Sequence, residues 1–100
     1  MANINIQFIG MNTSENLEIF ILKKLEKVAK FNQNLIDINV YIKYENNSEN
    51  KGRICEVEMK QSGLHVFASA NESDYQVAVA KAVDQVQRQL DKHKEVKLSS

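Results

Sequence analysis

Two histidines, one cysteine and a pair of strand carboxylates are the side chains here with reactive chemistry of their own. A histidine beside a nucleophile or carboxylate can act as a general base, and clustered His, Cys and Asp/Glu can hold a metal. His65 and His93 lie far apart in the chain, with no cysteine or carboxylate at ligand spacing. His93 sits between Lys92 and Lys94 and reads as a partner for the last carbonyls of a helix. His65 reads as a surface histidine on the polar side of a strand. Cys55 shares its register with Val57 and Met59, which marks a small core residue and not a nucleophile. Glu56 and Glu58 point the same way on a strand, but nothing supplies a desolvating pocket or a complementary acid. Gly10, Gly52 and Gly63 fall in separate turns, so there is no Gly-rich phosphate loop. The chain reads as a non-enzyme, with no catalytic residue, no metal, no cofactor and no small-molecule substrate.

What remains is charge. The 13 basic and 13 acidic residues cancel, and a zero sum by itself argues against nucleic acid. The placement of the charges reopens the question. At about 100° per helical residue, Leu17, Leu25 and Val28 fall within about 40° of Ile21. Lys23, Lys27 and Lys30 then fall at roughly 180–240°, on the outward stripe. With Val79 as the buried direction, Val83, Val86 and Leu90 cluster near it, while Lys81, Arg88 and Lys92 fall at roughly 180–220°. Gln85 is the uncharged position of this second ladder, and Asp84, Asp91 and Glu95 sit beside it. The ladders are either solvated outer faces, or one groove of positive charge matched to a polyphosphate.

The elements that must carry these ladders are legible in the periodicity. Asn3 to Phe8 alternates strictly, with Ile4, Ile6 and Phe8 on one side. Ser14 is the expected N-cap of a first helix, with Glu15 and Glu18 suited to its positive end. Phe31-Asn-Gln-Asn ends it. A second strand is expected with Ile36, Ile38, Val40, Ile42 and Tyr44 inward, followed by a polar hairpin loop over Glu45 to Gly52. Cys55, Val57 and Met59 mark a third strand, and Leu64, Val66, Ala68 and Ala70 a fourth. Asn71 to Asp74 offers caps for a second helix reaching about His93. Tyr41, Ile54 and Phe67 fall on the opposite sheet face. An RRM-like fold would stack bases there, but its order ends in a strand that is missing here.

The order is β-α-β-β-β-α, an α+β fold with a four-stranded sheet and two helices on one face. We expect one domain over residues 1–100, with an ordered core of about 3–94 and a short tail over 95–100. The apolar fraction of 43% and charged fraction of 26% fit a globular chain. A single cysteine, no leader and no long apolar run point to a cytoplasmic protein without a membrane partner.

The last third carries a resemblance. Val66-Phe-Ala-Ser-Ala, then Ser73-Asp-Tyr, then Ala78 through Arg88-Gln-Leu-Asp-Lys-His-Lys94 resembles the C-terminal half of the ribosome hibernation-promoting factor family. That family includes the ribosome-associated inhibitor that blocks translation in stationary-phase bacteria. Ser14-Glu-Asn-Leu-Glu and the basic residues down to Phe31 agree more loosely, so the resemblance spans about Ile4 to Lys94. It implies a domain related in plan to double-stranded-RNA-binding domains. Such a domain lodges in the small ribosomal subunit, in the channel shared by mRNA and tRNA, and silences translation by occlusion under stress. Its basic helices contact 16S rRNA. The family positions carry over to Lys23, Lys27, Lys30, Arg88, Lys92 and Lys94, with Lys81 added from the ladder. The chain departs from the pattern at Gln85, where relatives often carry lysine. It resembles the short form, with other hibernation factors as candidate further partners. The competing expectation is a small protein-interaction module that uses its sheet face or edge strand, the lysines serving only solubility.

Overall fold

The computed structural model describes residues 2–46 and 49–99, with side chains as far as Glu95. The period-2 segments form β1 (Asn3–Ile9), β2 (Leu35–Tyr44), β3 (Arg53–Gln61) and β4 (Leu64–Glu72). The period-3.6 segments form α1 (Glu15–Phe31) and α2 (Tyr75–Ser99). The strands lie side by side in sequence order in one sheet, β1 parallel to β2 and the other pairs antiparallel. A parallel pair needs a long crossover, and α1 supplies it. This is the expected β-α-β-β-β-α order.

Register explains why both helices sit on one face. Ile6, Val40, Val57 and Ala68 form one row across the sheet, and Phe8, Ile42, Cys55 and Ala70 the next. Leu17, Ile21, Leu25 and Val28 of α1 pack on that apolar face, as do Val79, Ala82, Val83, Val86 and Leu90 of α2. Burial pushes the Cys55 thiol up to about 12, with Glu56 adding to the shift, so it stays neutral in the core. The opposite face is open and mixed, with Phe67 exposed and the expected Tyr41 and Ile54 half-buried among polar side chains. Along one of its rows Asn5, Asn39 and Glu58 are linked by hydrogen bonds of 3.3 and 3.2 Å.

The helix ends use local donors and acceptors. The Leu17 amide donates to Ser14 Oγ at 3.3 Å, and Asp74 Oδ1 accepts from the Gln76 amide at 2.7 Å. At the end of α1, Asn32 turns inward, only 5% exposed. Its Nδ2 donates to the Val28 carbonyl at 2.8 Å and to Gln87 Oε1 at 3.1 Å. The cap therefore ties α1 to α2.

Three expectations change. Ile36 is not inward: the β2–β3 register shifts between Leu35 and Asp37, leaving Leu35 buried and Ile36 51% exposed. A bulge of this kind breaks strict alternation. Tyr44, at the strand end, is also exposed, with the Arg53 guanidinium 5.7 Å from its ring centre. The second helix passes His93 and the start of the expected tail and runs to Ser99, because no Gly or Pro interrupts it. His93 thus lies inside a helix and not at its last carbonyls.

Asn47 and Ser48 of the hairpin loop lie outside the described residues, but the end of that loop is tightly held. Gly52 is buried, its amide donates to Asn71 Oδ1 at 2.7 Å, and its carbonyl accepts from the Glu45 amide at 2.8 Å. Its φ of +121° suits glycine alone, and an added Cβ would collide with the Glu45 carbonyl. Gly52→Ala is expected to cost at least about 2 kcal/mol from backbone strain. In thermal melts that is a fall of roughly 10 °C for a domain of this size. An unchanged Tm would show that the hairpin relaxes freely.

Candidate nucleic-acid interface

The two helices lie next to each other over the sheet, so their outward stripes share one side of the molecule. Lys23, Lys27 and Lys30 are all exposed on α1, as are Lys81, Arg88, Lys92 and Lys94 on α2. Within that side the structure sorts them. Lys27 lines a groove between the helices together with Lys24, Phe31, Gln87 and Lys94. Lys30, one turn on along α1, lies beside Glu26, Ala29 and Asn32. Lys23, Lys27 and Lys30 make no ion pair among the described residues, so their charge is uncommitted.

The α2 residues are more engaged. Arg88 pairs with Asp84 one turn earlier at 3.0 Å, both highly exposed, which is a weak contact that a phosphate can displace. Lys81 leans to the edge of the sheet, where its Nζ meets Glu72 Oε1 at 3.2 Å. Lys94 turns toward α1 and donates to the Phe31 carbonyl at 3.0 Å. That bond satisfies one of the last carbonyls of α1, so Lys94 also helps to dock the helices. Lys92 is exposed and unpaired among the described residues.

The groove between the helices is mixed in sign. Asp84 and Asp91 line it with Lys24, Lys27 and Lys94, and Gln87 Nε2 donates to Asp91 Oδ1 at 2.8 Å. Lys24 is not among the residues expected from the sequence. By angle it belongs near the core face, but its long stem carries the ammonium to the rim. It lies 5.5 Å from the centre of the Phe20 ring. An i,i+4 aromatic–cation pair was the available sequence signal.

His65, Glu58 and Tyr75 lie away from this groove, each with its own partners. His65 Nε2 lies 3.0 Å from Glu58 Oε2 on the open sheet face. Partial burial pushes the Glu58 carboxyl up, but hydrogen bonds from His65 and Asn39 and the charge of Lys60 outweigh it and hold it below the usual range. The Tyr75 hydroxyl donates to the Lys43 carbonyl at 2.9 Å, and desolvation raises its pKa against the opposing charge of Arg53. Among the described residues no group of three or more His, Cys, Asp or Glu could hold a metal ion. No described helix is long and apolar enough to cross a membrane.

Residues 4–97 match the family described as sigma 54 modulation protein / S30EA ribosomal protein. The chain belongs to that family. It is the hibernation-factor family that the run from Val66 to Lys94 resembles. Among solved structures, the S30EA chain is similar to a ribosomal subunit interface protein from Coxiella burnetii. The two share 22% identity and a TM-score of 0.79, over 93% of this chain and 98% of the other. The N-terminal domain of Protein Y from Thermus thermophilus is similar at 18% identity and a TM-score of 0.75, over 93% of this chain and 99% of that one. At these identities the likeness is one of fold. No curated protein matches the chain.

Proposed function

We propose that this S30EA-family protein binds the small ribosomal subunit through the outer side of α1 and α2 and silences translation by occupying the mRNA and tRNA channel. The observation that carries the reading is the exposed charge of Lys23, Lys27 and Lys30 on α1, unpaired among the described residues, with Arg88 and Lys92 exposed on the neighbouring α2, in a fold shared with a protein named for the ribosomal subunit interface. The partner is the phosphate backbone of 16S rRNA. Lys81 and Lys94 contribute as well, once Lys81 exchanges Glu72 for phosphate. Occlusion needs only occupancy, so no reaction is required of the protein. Co-sedimentation with small subunits in sucrose gradients tests it. Pelleting that weakens with salt is expected, because each phosphate contact releases counterions. A protein that stays at the top of the gradient at every salt concentration overturns the proposal and favours a module that recruits proteins.

Position 85 gives a finer test. Gln85 is exposed on α2 between Lys81 and Arg88. Gln85→Lys should add a contact, raise affinity and steepen the slope of log K against log salt by up to about 0.9. Arg88→Gln should weaken binding more than Gln85→Lys strengthens it, because guanidinium grips phosphate with two hydrogen bonds. Inhibition of translation should follow binding in both. A Gln85→Lys protein that binds no better, beside an Arg88→Gln protein that binds no worse, would show that α2 does not face the RNA.

A further inference from the structure

Phe31 is the most exposed of the large apolar side chains described, at 64%. The core does not explain it, and neither does a lysine ladder. It is also rigidly placed. Its own carbonyl is held by Lys94 Nζ at 3.0 Å, and the next residue, Asn32, is buried and bonded to both helices. A ring mounted on a fixed backbone loses little freedom when something packs on it.

The surroundings say what that something is. Phe31 lines the groove of about 550 Å³ between α1 and α2, whose floor includes the buried Val28 and Val83. Lys27, one turn earlier on α1, and Lys94 on α2 line the same groove, and Lys24 stands on its rim. Asp84 and Asp91 also line it, so the three lysines keep only a modest positive excess there; Asp84 meets Arg88 and Asp91 accepts from Gln87. A protein partner would call for a broad apolar patch around the ring. Here a single aromatic stands over a small apolar floor among charged and amide side chains, with ammonium groups outnumbering carboxylates. Proteins hold unpaired bases in this way: a ring stacks the base and flanking cations take the phosphates.

We infer that Phe31 is a stacking platform for an unpaired RNA base, seated in the groove between α1 and α2, with Lys27 and Lys94 taking the phosphates on either side. This rests on the RNA-binding reading above and names the nucleic-acid form that the groove accepts, single-stranded and not duplex.

The test is an aromatic series at position 31, read as affinity for purified small subunits at several salt concentrations. Phe31→Ala should lose about tenfold or more, as stacking residues do on truncation. The salt slope should stay unchanged, because the ring carries no charge. Phe31→Leu keeps apolar bulk and should fall with alanine, while Phe31→Tyr and Phe31→Trp should bind like the wild type. All four should melt near the wild-type temperature, since the side chain is outside the core. A photoreactive benzoylphenylalanine at the same position should crosslink to rRNA. Wild-type affinity in the alanine or leucine variant overturns the stacking role, as does a crosslink confined to ribosomal protein; either leaves the ribosome-binding proposal standing. Wild-type protein that fails to bind subunits overturns both.

Discussion

Changing Lys23, Lys27 and Lys30 together to glutamate is expected to abolish co-sedimentation with small ribosomal subunits. Each position is exposed and free of ion pairs among the described residues, so its charge is available to phosphate. Loss of three phosphate contacts removes a large part of the salt-dependent binding, since each contributes a slope of about 0.7 on a single strand and about 0.9 on a duplex. The three new carboxylates then repel the same backbone. The fold should tolerate the change. Exposed charge reversals cost little, apart from about 1 kcal/mol where Lys27 and Lys30 lie near the negative end of the α1 dipole. The Tm should therefore drop by only several degrees while binding disappears. A triple variant that still pellets fully would show that α1 does not face the ribosome, whatever α2 does.

The second large effect is on folding. Val86 has no exposed surface and sits on the sheet face of α2. Val86→Asp places a carboxylate there with no buried cation among the described residues to pair it, and an unpaired buried charge costs several kcal/mol. A domain of this size holds only about 5–15 kcal/mol in total, so the variant should be largely unfolded at neutral pH. Circular dichroism would show the loss of helix, and Arg88→Asp, two residues on and exposed, should retain it. A folded and soluble Val86→Asp protein would mean that α2 is rotated from the phase described, and the Arg88 and Lys92 stripe with it.

Periodicity determined most of the architecture. The alternation from Asn3 to Phe8 and from Cys55 to Ala70 became strands with the expected residues inward. The helical spacing of Leu17, Ile21, Leu25 and Val28, and of Val79 to Leu90, became the two buried faces. These are local properties: a side chain's direction along a strand or helix follows from the repeat of the backbone. The outward direction of Lys23, Lys27, Lys30, Arg88 and Lys92 follows from the same repeat, so that part of the candidate interface was visible in the sequence too.

Tertiary structure decided what direction alone leaves open. A bulge at Leu35–Asp37 turned Ile36 outward, because strand register depends on the partner strand and not on the strand's own pattern. The docking of α1 beside α2 made Lys94 a partner of the Phe31 carbonyl, and the neighbouring strand gave Lys81 a carboxylate in Glu72. Packing also gave Lys27 and Lys30, one turn apart on α1, different neighbours, and placed Phe31 in a groove that no single segment contains. A lysine's sequence position fixes the side of the helix from which it projects. Which opposite charge, carbonyl or ring it then meets belongs to another part of the chain, brought near only by folding.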